Sequence, residues 1–183
     1  SDSYPNLFTP TGLTFSIWGL IYLLLFGYTI YQLINKDKKK DKLFARINVY
    51  FLLSSLANIS WIFAWHHGVI WLSVLIMLVL LVSLIKIADI INKDKYSWID
   101  SLLVRAPFSI YFGWITVATI ANISVFLVSI NWDGFGIADT IWTIIVLLVG
   151  AAIGVTRTLK DSNIFYGLVL VWAYAGIWIK HTA

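Results

Sequence analysis

The stretch RAPFSIYFGWITVATIAN, from Arg105 to Asn122, spaces Tyr111, Trp114, Ala118 and Asn122 by three, four and four residues. On an α-helix that spacing puts all four on one face. Two aromatic rings, a small residue and an amide together describe a pocket wall with a clamp, a notch and a polar handle. Such a wall suits a flat heterocyclic ligand. The same pattern also describes a helix contact, with Ala letting a neighbour approach and Asn bonding across the interface. On the pattern alone, packing is the stronger reading.

Two other stretches repeat the theme. Asn58, Trp61 and Trp65 are spaced by three and four, and Trp18 and Tyr22 by four, after Pro5, Pro10 and Gly12. Trp near helix ends usually belongs to an interfacial belt, which fits Trp98, Trp132 and Trp178. Trp61 and Trp114 are expected deeper, where an indole N–H needs a partner.

Groups for catalysis or metal binding are sparse. Arg105 opens a long apolar run and is a candidate contact for an anion or a lipid headgroup, by bidentate bonding or by snorkelling. His66 and His67 are adjacent, so on a helix their side chains diverge by about 100°, and an interfacial turn is expected there rather than a metal or haem ligand pair. Lys86 and Asp89 are one turn apart and suit a solvated pair. Asp139 is expected to cap a helix. The segment Gly150-Ala-Ala-Ile-Gly154 is a GxxxG element, read as close helix packing within the chain or in a homodimer. No residue is singled out as catalytic, and no metal site is expected.

The elements that position these residues follow from composition. The 183 residues are 60% hydrophobic, 12% charged and 16% aromatic, with ten Trp and no Cys. The mean hydropathy is +0.86. A soluble domain is about a quarter charged. Without Cys, disulfides and thiolate metal sites are excluded. A helix needs about 20 apolar residues to cross a bilayer. Uncharged runs predict helices over 13–34, 47–66, 69–90, 102–130, 139–156 and 162–180. Barrel strands are excluded because the runs are twice strand length and do not alternate. The expected architecture is all-α: a polytopic transmembrane bundle of six helices forming one membrane domain over 1–183. The opening SDSYPNLF has no Met and no intact signal peptide, so a longer chain or a cleaved segment is expected before it.

Most of the thirteen Lys and Arg lie at three connections: Lys36 to Arg46, Lys86 to Lys95, and Arg157 with Lys160. Six helices put these at one end, with Arg105 nearby and Lys180 opposite. The positive-inside rule then places the basic loops in the cytoplasm and the termini outside. The formal charge of +4 is therefore a topology signal and a contact for membrane lipid, not for nucleic acid.

In order along the chain, these motifs resemble the translocator protein family, also called TspO or tryptophan-rich sensory proteins. Tyr111-x-x-Trp114-x-x-x-Ala118-x-x-x-Asn122 is similar to that family's last-helix signature, and Asn58-x-x-Trp61 to its central Asn-x-x-Trp element. Pro10 with Phe15, Trp18 and Tyr22 is similar to its Pro-rich loop and following helix. The resemblance covers 5–122. Here Pro107 lies four residues before Tyr111, whereas the family has Pro directly before this Tyr. The family's helix ahead of the loop is absent from the sequence, and two helices follow the matching region, as in a divergent, extended branch. The resemblance implies a pocket for a planar apolar ligand, a tetrapyrrole such as protoporphyrin or haem, or a sterol. It would be lined by Trp18, Tyr22, Asn58, Trp61, Tyr111, Trp114, Ala118 and Asn122 and serve a sensory or ligand-handling role in a bacterial cell membrane. Two alternatives stand beside it: a small secondary transporter or permease, with Pro107 and Gly113 breaking the fourth helix, and a porphyrin- or lipid-modifying enzyme. The lack of charged groups deep in the runs favours binding over catalysis. It also disfavours a retinal protein, for which no central Lys is available.

Overall fold

The computed structural model describes residues 7–93 and 96–182; Pro5 and Lys95 of the sequence reading lie outside them. Six described helices are long and apolar enough to cross a membrane. They are α1 (Ile17–Ile34), α2 (Lys38–His66), α3 (Ile70–Ile91), α4 (Ala106–Ser129), α5 (Asp139–Asp161) and α6 (Ile164–Thr182). The six-helix, all-α expectation holds.

Several boundaries differ from the sequence reading for local reasons. A 3-10 turn, Gly12–Ser16, leads into α1. Helix α2 starts at Lys38, nine residues before the predicted 47, because the run Lys38 to Arg46 is rich in good helix formers even though it is too charged for hydrocarbon. Helix α5 likewise continues past 156 to Asp161. Ala138 is the N-cap of α5 and no side chain caps it, so Asp139 is the first helical residue and not the cap. Its carboxylate still sits at the positive end of the helix dipole.

Helix α4 has a distinctive entry. A helical turn, Trp98–Asp100, runs into a π-helical turn, Ser101–Arg105. Pro107 in the first turn of α4 has no N–H to offer and crowds the carbonyl four residues back. The turn ahead widens accordingly, and the Ala106 N–H bonds to the Ser101 carbonyl, five residues back. Beyond Pro107 the helix is continuous through Gly113, so neither residue breaks it. Gly113 instead lets α6 come close: a Cβ there would lie 3.0 Å from the Tyr166 carbonyl and from Val169.

Helix α4 is the centre of the bundle and packs on α1, α3 and α6. In its spanning window 50% of residues are buried, against 11% in that of α5. Helices α2 and α3 form a close hairpin through the His67-Gly68 turn, where Gly68 has φ +70°. Helix α5 rests mainly on α6. Gly150 and Gly154 face inward, and a Cβ would meet the Tyr174 hydroxyl at the first and overlap Leu170 at the second. The GxxxG element therefore serves contacts within one chain.

Two polar clusters tie the basic end together. Asp100 accepts from Lys40 at 2.7 Å, from the Tyr31 hydroxyl at 2.6 Å and from Ser97 at 2.7 Å. These bonds join the end of α1, the start of α2 and the entry to α4. In the second cluster Arg157 pairs with Asp89 at 2.9 Å and Asp161 at 2.7 Å, with its guanidinium 5.2 Å from the Phe112 ring centroid. Asp89 thus pairs across helices with Arg157, and the expected local pair with Lys86 does not form.

Candidate ligand-binding site

The structure brings the first-helix and fourth-helix aromatics together. Trp18 stacks on Tyr22 at 5.5 Å and meets Tyr111 edge-on at 5.9 Å and Trp114 at 6.5 Å. Phe15 closes the other side of Trp114 at 5.6 Å. Such edge-to-face arrangements are favourable beyond the area they bury. Trp114 and Tyr111 are 2% and 3% exposed. From α2, Asn58 donates through Nδ2 to the Tyr22 hydroxyl at 3.2 Å.

One to two turns along, a second group forms. Trp61 Nε1 donates to Asn122 Oδ1 at 3.0 Å, and Asn122 Nδ2 donates to Ser73 Oγ at 2.9 Å. Ser73 in turn donates to the Ile70 carbonyl at 2.7 Å. The Trp61 indole, expected deep, is only partly buried and has a protein partner. Trp65 stacks on Trp61 at 5.7 Å. Ser73 is a neighbour of this group that the sequence reading misses: a single Ser in an apolar helix carries no periodic signal, and only its contact with Asn122 reveals it.

Between the groups lies Ala118, one turn from Trp114 and one from Asn122. It is the one position from Tyr111 to Thr119 that is not fully buried, and it packs partly buried against the core. Two buried polar atoms at the aromatic group have no protein partner, Trp114 Nε1 and Asn58 Oδ1. One is a donor and the other an acceptor. Leaving such a group unsatisfied costs about 1–3 kcal/mol.

The remaining candidates sit elsewhere. Arg105 Nη2 donates to the backbone carbonyls of Asp161 (2.5 Å) and Ser162 (3.1 Å). That bond closes the C-terminus of α5, where Ser162 takes a left-handed conformation, so this nitrogen is committed to the protein. His66 and His67 are exposed at the α2–α3 turn, and His67 Nδ1 bonds the Phe63 carbonyl. Two cavities, of about 790 and 680 Å³, lie apart from the aromatic group, and none of its eight predicted residues lines either. The first is an apolar groove between α5 and α6. The second is at the end of the bundle opposite the basic loops.

The eight residues contain neither His nor Met nor Cys, so nothing in the set supplies those axial ligands to a haem iron. Aromatic faces, with one N–H and one amide oxygen lacking a protein partner, suit a planar ligand with a polar edge. None of the eight carries a formal charge.

Six apolar helices around a buried Trp, Tyr and Asn centre define a polytopic integral membrane protein of the Trp-rich type. The chain belongs to the TSPO-like protein family, whose model matches residues 1–183, both C-terminal helices included. No curated protein and no solved structure was found to match it.

Proposed function

We propose that this TSPO-like protein binds a planar, largely apolar molecule of the tetrapyrrole or sterol type against Trp18, Tyr22, Tyr111 and Trp114, in a sensory or ligand-handling role. The observation that carries the reading is the pair of unpartnered buried atoms, Trp114 Nε1 and Asn58 Oδ1, contributed by two helices to one aromatic group beside the partly buried Ala118. A helix contact serving packing alone would be expected to satisfy both atoms. A ligand edge offering one acceptor and one donor would satisfy them, while its flat body takes the ring faces.

The basic end of the bundle faces the cytoplasm in this reading, by the positive-inside rule, and the bilayer is a bacterial cell membrane. The test is a fluorescence titration of purified protein with protoporphyrin. Saturable Trp quenching is expected, and its loss in a Trp18→Ala, Trp114→Ala variant but not in Trp98→Ala. Equal quenching in all three proteins would remove the ligand and leave packing as the role of these residues.

A further inference from the structure

The outer side of α2 carries a charged stripe that no neighbouring helix covers. Lys38, Lys42 and Arg46 follow one another at spacings of four, and Val49, Leu53 and Leu56 continue the series at three, four and three. On an α-helix these positions share one side. All six residues are exposed. Phe44 and Ile47 are buried and mark the opposite side, where Lys40 pairs with Asp100 at 2.7 Å. Along one stripe the chain therefore changes from cations to apolar side chains within a single turn, between Arg46 and Val49.

The cations of the stripe are uncommitted. Among the described residues the ion pairs at this end use Lys40 and Arg157. Lys38, Lys42 and Arg46 enter none of them, and no described side chain or carbonyl bonds to their charged ends. Asp41, one turn from Lys38, stands at the edge of the stripe and offsets one of the three charges. A helix that crosses a bilayer holds these cations at different depths. At about 1.5 Å per residue, Lys42 lies ~6 Å and Lys38 ~12 Å beyond Arg46. The headgroup layer is roughly 5–8 Å thick on each side. With Val49 at the edge of the hydrocarbon, Arg46 stands at the inner boundary of that layer and Lys38 reaches past its outer one.

We propose that this stripe is a docking surface for a lipid diphosphate. The phosphate next to the tail meets the Arg46 fork, the terminal phosphate meets Lys42 and Lys38, and the tail runs along Val49, Leu53 and Leu56. Charge and depth together select this occupant. A phosphodiester lipid brings one negative charge at one depth. Two phosphates carried side by side on one lipid lie at the same depth and meet the same step of the ladder. Two phosphates in series stand along the membrane normal, as the cations do. A soluble acidic partner would use the cations and leave their apolar continuation unused. The surface shares no residue with the aromatic centre and is independent of what that centre binds.

Native mass spectrometry of the full chain in detergent tests it, with farnesyl diphosphate as the probe. Farnesyl diphosphate should be retained in preference to farnesyl monophosphate and to a phosphoglycerol lipid. Lys42→Gln should weaken that retention by about fivefold, the loss that one cation near an anionic group supports. Asp41→Asn should strengthen it, and this opposite sign guards against a folding defect in the first variant. Lys160→Gln, exposed at the same end of the bundle on α5, should leave it unchanged. Equal retention of the diphosphate and the monophosphate overturns the proposal, as does retention indifferent to Lys42 and Asp41. Displacement of the lipid by an equal concentration of inorganic diphosphate also overturns it, since the stripe would then take a soluble anion.

Discussion

Trp61 and Asn122 are joined by a 3.0 Å hydrogen bond from indole to amide, so α2 and α4 meet through side chains across the face of α3. Asn122 passes the connection on to Ser73 of α3. One buried amide therefore ties three helices. Replacing it with Leu keeps the volume and strands the Trp61 N–H, while the Ser73 hydroxyl keeps its bond to the Ile70 carbonyl. A stability loss of about 1–3 kcal/mol is expected. Thermal unfolding in detergent reads it, and Ser73→Ala should cost less because Trp61 keeps its acceptor.

Trp114→Phe separates the ring of Trp114 from its N–H. The ring contacts with Phe15 and Trp18 are largely kept, and the protein is relieved of an unsatisfied donor. The smaller ring leaves a gap, so stability should fall by about 1–3 kcal/mol, offset in part by loss of the unsatisfied donor. Protoporphyrin affinity should fall by about fivefold or more if the N–H meets the ligand edge, since one such bond contributes about 1 kcal/mol. An unchanged Kd would mean that the donor faces no ligand.

Gly150→Ala and Gly154→Ala distinguish contacts within the chain from a dimer seam. The added methyl at Gly150 meets the Tyr174 hydroxyl, which donates to the Leu147 carbonyl at 2.6 Å. Overpacking of this kind costs about 1–3 kcal/mol. Lower thermal stability with an unchanged mass by light scattering is the expected result. A change of oligomeric state with stability intact would assign the two glycines to a second copy.

Arg157→Met removes the cation between Asp89 and Asp161. The Asp161 side chain is only 8% exposed, so it loses its ion-pair partner while buried, with Lys160 and Asn92 left to offset part of its charge. Breaking a buried pair from one side costs about 3–5 kcal/mol. Asp161→Asn on the Arg157→Met background should restore part of the loss, as a double-mutant cycle in urea or heat would show.

The helices were legible because lipid allows few solutions: a long uncharged run has to satisfy its backbone internally. Legibility failed where the chain leaves hydrocarbon. The charge of Lys38 to Arg46 reads as a connection although the residues are good helix formers, and hydropathy carries no sign of the effect of Pro107 on the turn at Ser101 to Arg105. The site was half legible. Tyr111, Trp114, Ala118 and Asn122 share a face as their spacing requires, but the partners of that face are set by packing between distant segments. Ser73 was invisible for that reason. The same limit explains Asp89, whose partner Arg157 lies 68 residues away while the sequence offered Lys86 three residues away. For Arg105 the sequence points outward, toward anions, because an apolar run hides the helix C-terminus that its guanidinium closes.

The central position of α4 has a consequence for the order in which the molecule is built. Helices α2 and α3 pair closely with each other and are adjacent in the chain, so they can associate as soon as both have left the ribosome. Helix α1, by contrast, finds its main backbone partner in α4, which is made later, and chains are synthesised at about 5–20 residues per second. The nascent protein therefore passes through a stage in which its first helix waits beside a finished hairpin for its partner, and the aromatic centre comes into being only when that wait ends.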